Sequence, residues 1–253
     1  MKGYLKLTVL LAFMLAAATG CKEENEPEGT DFSLKMNFKY GSQNLVYGQE
    51  YDYGTDSKIK IELLRFYVSL PELQSAEGNW VPFPNAYFIF QPDNAVFQAG
   101  KMPEGNYTAL RFGLGVDNSR NVQTDPNAIP ATDYPLDSPL NAANDMYWTW
   151  ATGYIFVKVE GRIDANGNGS YADLDDKIIS YHPGVAELYR TVSLSKNINI
   201  GNEATQAELT LDVAKLFENV DLLQYPFAHP LNADHPEFAM AQRMMDSFVT
   251  AFE

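Results

Sequence analysis

The sequence predicts an all-β protein: an antiparallel β-sandwich, immunoglobulin-like or jelly-roll-like, with a long irregular loop and a C-terminal amphipathic helix. Three observations lead there. Short runs alternate apolar and polar residues with the period of a half-buried strand. Clusters of Pro, Gly, Asn and Asp separate those runs. One segment near the C terminus instead repeats its apolar residues at three- and four-residue steps. A closed barrel is the alternative arrangement of the same strands.

The first element is not part of the fold. Lys2 and Lys6 precede a short apolar run from Leu7 to Ala18, then Ala18-Thr19-Gly20 and Cys21. The run is shorter than the about 20 residues a membrane-spanning helix needs, and its flanks read as a signal peptide over residues 1–20 with a lipobox-like end. Cys21 is the sole cysteine of the chain, so it has no internal disulfide partner and is the expected lipid acceptor. Residues 21–30, polar and acidic with Pro27 and Gly29, read as a flexible tether.

From residue 31 to 253 we expect one domain, since no repeat or second composition regime appears. Phe32, Leu34, Met36, Phe38 and Tyr40 alternate with polar neighbours, and so do Ile59, Ile61 and Leu63, with strand-like sequence continuing through Val68. Further strands are expected over 107–114, 153–163, 189–200 and 206–213. Residues 117–146 hold four prolines, many Asn and Asp, and little periodicity. A loop of about 30 residues is unusual in a compact domain and is often functional. Phe238, Ala241, Met245, Phe248 and Phe252, opened by Pro236, predict the helix over 236–251.

Composition narrows the function. The net charge is −15, and removing residues 1–20 takes away two lysines and no acids, leaving −17. Nucleic-acid binding is disfavoured, because it rests on Lys and Arg neutralising phosphates. No Gly-x-Ser-x-Gly elbow, Walker loop or dinucleotide fingerprint is present, and with Cys21 committed to lipid no thiol is free as a nucleophile. Catalysis is therefore not expected.

One metal signal comes from spacing. In residues 164–176, Asp164, Asn166 and Asn168 occupy positions one, three and five of a calcium loop, Gly169 the turn at six, Ser170 seven and Asp175 twelve. Calcium is the expected ion. A polar Asn-Gly hairpin turn is the other reading.

A second signal comes from resemblance. The stretches Leu64–Ser69, Phe112–Asn118 with Asn121, and Met146-Tyr147-Trp148-Thr149-Trp150-Ala151-Thr152-Gly153-Tyr154-Ile155 through Glu160-Gly161, followed by His182-Pro183-Gly184, resemble the MbnP-like domain family in its Bacteroidetes lipoprotein branch. Lys22-Glu23-Glu24-Asn25-Glu26 likewise resembles a tag that sends some lipoproteins of that phylum to the cell surface. The resemblance implies a β-rich domain at the outer membrane, on its periplasmic face or at the surface. It also implies copper held by histidines, in some members with a tryptophan oxidised to kynurenine by a di-haem partner enzyme. His182 falls at a family histidine, and Trp148 and Trp150 match the family's aromatic pair. Another family histidine, after an asparagine in the loop beyond the Gly-Val strand, is replaced here by Asn118-Ser119-Arg120-Asn121, and there is no histidine before His182.

Copper prefers imidazole and soft sulfur. The chain offers His182, His229 and His235, with Met240, Met244 and Met245 as nearby thioethers. The expected function is a lipid-anchored copper-handling module. The alternative is a structural or interaction lipoprotein with a degenerate copper site, presenting the 117–146 loop to a protein or glycan.

Overall fold

The computed structural model describes residues 28–148 and 153–253. The signal segment, Cys21 and most of the tether lie outside the described residues, as does Trp150.

The strands are β1 (Thr30–Tyr40), β2 (Gln43–Asn44), β3 (Glu50–Tyr53), β4 (Ser57–Ser75), β5 (Trp80–Pro82), β6 (Tyr87–Phe90), β7 (Val96–Met102), β8 (Gly105–Leu114), β9 (Tyr147–Trp148), β10 (Gly153–Tyr154), β11 (Val157–Asp164), β12 (Lys177–Tyr181), β13 (Arg190–Ile200), β14 (Thr205–Asp212) and β15 (Phe227–Ala228). Helix α1 follows at Phe238–Thr250, within the segment its apolar spacing predicts.

A large sheet runs β13-β8-β4-β11-β12-β15, with β3, β5 and β6 also paired to β4; a smaller one runs β14-β1-β2, with β7 on β1; β9 and β10 form a separate hairpin. The arrangement is sandwich-like, and no closed barrel forms. It departs from a purely antiparallel sandwich at two places. β1 pairs β14 in parallel, Leu34 beside Ala207 and Met36 beside Leu209, and β12 pairs β15 in parallel. Hairpin turns cannot make parallel pairs, so each brings together chain segments far apart in sequence.

β4 is the spine of the large sheet. Its length is accommodated by a register shift between Ser69 and Glu72, where Leu70 takes a left-handed φ of 48°. An inserted residue at such a bulge bends the strand and sharpens its twist. Phe66 from β4 meets Phe248 of α1 edge-on at 5.0 Å, and Phe252 packs edge-on to Phe112 of β8 at 5.3 Å. Edge-to-face pairing suits the ring quadrupole. The helix therefore seats its apolar stripe on the large sheet. Met244 and Met245 are fully buried in that seam and Met240 packs against it, so these thioethers serve the core.

The long 117–146 segment is folded down rather than hanging free. Short 3-10 turns form at Asn118–Arg120 and Ala142–Asn144. The buried Tyr67 hydroxyl donates to the Pro139 carbonyl at 2.8 Å, and Tyr154 donates to that of Leu140 at 2.8 Å. The Asn144 amide donates to three loop carbonyls. Each such bond contributes on the order of 1 kcal/mol. Proline-rich sequence hid this order, because these carbonyls accept from single side chains instead of joining a ladder.

Candidate functional site: an imidazole pair beneath a tryptophan

β11 and β12 set Glu160 directly beside Ser180. Two residues on, on the same face, comes His182. The parallel pairing of β12 with β15 aligns Ser180 with Phe227 and Tyr181 with Ala228. The next step of that register places His229 beside His182, and the His182 amide donates to the Ala228 carbonyl at 2.9 Å. A strand of two residues thus carries the second histidine to the first.

The two imidazoles stack, with centroids 4.5 Å apart and planes inclined by 26°. Trp148, from the β9–β10 hairpin, packs edge-on against both, at 5.9 Å from His182 and 5.8 Å from His229. His182 Nε2 lies 2.9 Å from Glu160 Oε1 and 3.4 Å from Ser180 Oγ, while His229 Nε2 lies 2.9 Å from the same Ser180 oxygen.

These contacts fix a proton inventory. An ionised carboxylate only accepts, so His182 donates Nε2–H to Glu160. Ser180 has one proton and gives it to His229 Nε2 across the shorter distance. The lone pairs then rest on Nδ1 of His182 and Nε2 of His229. Both rings are held neutral. Burial, then the neighbouring His229 and Lys158, push the His182 pKa down to about 3, against the opposing Asp145. Burial also lowers that of His229, with Glu237 and Glu160 opposing and His235 adding to the fall. Only a neutral imidazole offers a lone pair to a metal.

A further tie holds the tryptophan over the pair. Lys158, on the same face of β11 as Glu160 and with its side chain 11% exposed, reaches Asp145 Oδ2 at 2.7 Å. Asp145 stands in the left-handed region, φ 58°, just before the hairpin that carries Trp148. Ile155 N donates to the Met146 carbonyl at 2.9 Å and closes the base of that hairpin. At its far end, Gly153 has φ 82°, and a Cβ there would fall 2.3 Å from Asn121 Oδ1. Asn121, in the segment where the family histidine is replaced, thus lies against the backbone of the tryptophan hairpin. Lys158, Glu160, Ser180 and Asn121 escape sequence reasoning as site residues. The signal for the first two lay in the two-residue step from Lys158 to Glu160 at the start of a strand, the end that lies near His182.

His235 does not join the pair. Its Nδ1 accepts from the Glu237 amide at 3.3 Å, and Glu237 in turn accepts from the His229 amide at 2.5 Å. Of the three histidines, His229 stacks with His182, 47 residues away in sequence, and not with His235, six residues on. Among the described residues, no three His, Cys, Asp or Glu side chains are grouped as around a metal ion. The site's nitrogen donors are two, with an indole as third neighbour.

The calcium-loop positions lie elsewhere, at the other end of β11. Asp164 is buried, and its Oδ1 accepts from the amides of Asn166, Gly167 and Asn168 while Oδ2 accepts from Gly169 at 2.7 Å. Burial raises its pKa, but these four amides outweigh burial and hold it below the ordinary aspartate value. Asn166 and Asn168 each accept from the amide two residues on, and both side-chain amides and the Ser170 hydroxyl turn to Asp173. Asp176, and not the exposed Asp175, closes the loop by accepting from Ala165 and Asp173 amides.

Comparison with known proteins agrees with this architecture. MbnP from Methylosinus trichosporium superposes with a TM-score of 0.54 at 17% identity, over 83% of this chain and 86% of that one. No curated protein gives a significant sequence match. The MbnP family description matches residues 29–233, a span that takes in β1 through β15 and every residue of the imidazole site. By that match the chain belongs to the MbnP family.

Proposed function

We propose that this protein is a copper-binding module of the MbnP family, holding the ion on His182 and His229 beside Trp148. The observation that carries the reading is the stacked, neutral imidazole pair, 4.5 Å between centroids, in which Nδ1 of His182 is uncommitted and Nε2 of His229 accepts only the exchangeable hydroxyl proton of Ser180. The donor chemistry fits copper: imidazole nitrogen is among its preferred ligands, and two neutral rings add no charge to an ion. Glu160 supports the reading as well. A ligating histidine normally gives its other ring N–H to a carboxylate, which fixes tautomer and orientation. Ser180 restrains the facing ring, and Trp148 covers the pair and limits access of water. When bound, copper would supply affinity for soft or redox-active partners. The chain's own residues orient two nitrogens and keep them unprotonated.

The role is one of binding and delivery at a membrane surface, to which lipidated Cys21 would tether the domain. A di-haem enzyme acting on Trp148 or Trp150 is the partner that family membership suggests. Purification without added metal followed by elemental analysis, and titration of Cu(I) against a chromophoric chelator, test the copper reading. Stoichiometric copper is expected. Equal affinity in the protein and in its His182→Ala and His229→Ala variants would remove it. The mass of the peptide carrying both tryptophans reports their oxidation separately.

A further inference from the structure

A second polar site adjoins the tether of the tryptophan hairpin and is built around Arg65. Arg65 and Lys158 are register partners on neighbouring strands, so two cations stand side by side on one face. Lys158 is neutralised by Asp145. No carboxylate lies within ion-pair distance of Arg65 among the described residues, in a chain with 33 acids and 18 Lys and Arg. The Arg65 Nε–H is buried with no partner, and one Nη donates only to the Asn144 carbonyl at 3.3 Å. That Nε–H is closed off from solvent, so the Nη–H groups, one of them held only at 3.3 Å, are the guanidinium's donors for a ligand.

The guanidinium lines a cavity of about 300 Å³ with Gln91, Asn94, Asn144, Asp145 and the apolar Ile89. The Asn144 amide is spent on three carbonyls of its own loop, and Asn94 Nδ2 reaches only the Ile89 carbonyl at 3.4 Å. Arg65, Gln91 and Asn94 therefore remain as donors facing the space. The local charge sums to positive, since Asp145 is matched by Lys158. Asp93 acts on the same Tyr47 hydroxyl as Arg65 but does not line the cavity.

We propose that this cavity binds a small oxoanion, recognised by the Arg65 guanidinium and the flanking side-chain amides. A planar carboxylate and a tetrahedral phosphate or sulfate share that chemistry, because guanidinium forks pair with both. The Ile89 wall favours a carboxylate with a short apolar tail.

The test is calorimetric titration of the full chain with acetate, propionate, phosphate and sulfate, at constant ionic strength against chloride. One equivalent of at least one oxoanion should bind. Arg65→Gln should weaken it at least tenfold, while Arg111→Gln, whose arginine pairs with Glu72 farther along β4 and does not line the cavity, should not. Propionate above acetate selects the carboxylate, and phosphate or sulfate above both selects the tetrahedral ion. Asn94→Asp, at an exposed position, places a negative charge at the cavity and should weaken binding tenfold even if Arg65→Gln fails to fold. Oxoanions binding no better than chloride, or equally to the wild type and to either cavity variant, would overturn the proposal.

Discussion

The two regions that spacing and resemblance mark for metals sit at opposite ends of β11 and solve opposite problems. At one end, His182 and His229 arrive from distant parts of the chain; His182 keeps its Nδ1 lone pair, and that of His229 meets only the Ser180 hydroxyl. At the other, Asp164 and its neighbours lie within one turn and spend their oxygens on their own backbone. Donors close in sequence satisfy each other first, since little loop entropy opposes it. Donors brought together by sheet pairing are held apart by rigid strands and stay available.

That contrast can be broken first at the histidines. His182→Ala or His229→Ala should lower Cu(I) affinity by about 100-fold or more, and Glu160→Gln by about 10-fold, in line with the cost of disturbing a carboxylate that orients a ligand. Asp164→Ala should leave copper affinity unchanged.

The loop is next. Asp164→Ala strands four amides at once, and the Tm in calorimetry should fall by roughly 5 °C. Because the loop's carboxylate and amide oxygens are already bonded within it, we expect the same Tm in calcium and in a chelator; a native-state ligand would raise it, and such a rise would favour the calcium reading. Lys158→Met frees Asp145 and loosens the Trp148 hairpin, so copper affinity should drop about 3- to 10-fold through loss of positioning, with a small change in Tm. The same affinity in that variant would show that the hairpin holds without its tether.

Stability should also depend on pH. His182 titrates near 6.5 in the unfolded chain and about 3 in the folded one. Between those values the unfolded state binds the extra proton, so stability is lost as pH falls through that window. His229 acts in the same direction. Denaturant midpoints measured from pH 7 to pH 4 should fall less steeply for His182→Asn than for the wild type. Parallel slopes would mean that the folded ring takes up its proton normally.

Much of this was legible in the residues. Alternation over Phe32–Tyr40 and Ile59–Val68, and the helical spacing of Ala241, Met245 and Phe248, mark β1, β4 and α1, because periodic burial is written locally. The Met146–Gly161 stretch and His182 carry the family likeness without any contact being known. The sequence also marks all three histidines and Trp148 as candidates.

Other features are invisible there. β12 and β15 are too short for a periodic signal, yet their parallel register decides that His229 and not His235 faces His182. The fate of the 117–146 segment rests on two tyrosines from β4 and β10 that reach its carbonyls. Which oxygens of the Asp164 loop are free depends on backbone amides that every sequence possesses equally. The sequence by itself determined the donors, the strands and the family. Tertiary structure alone decided which donors meet and which keep a lone pair, because strand register and hydrogen-bond allocation are properties of the folded chain.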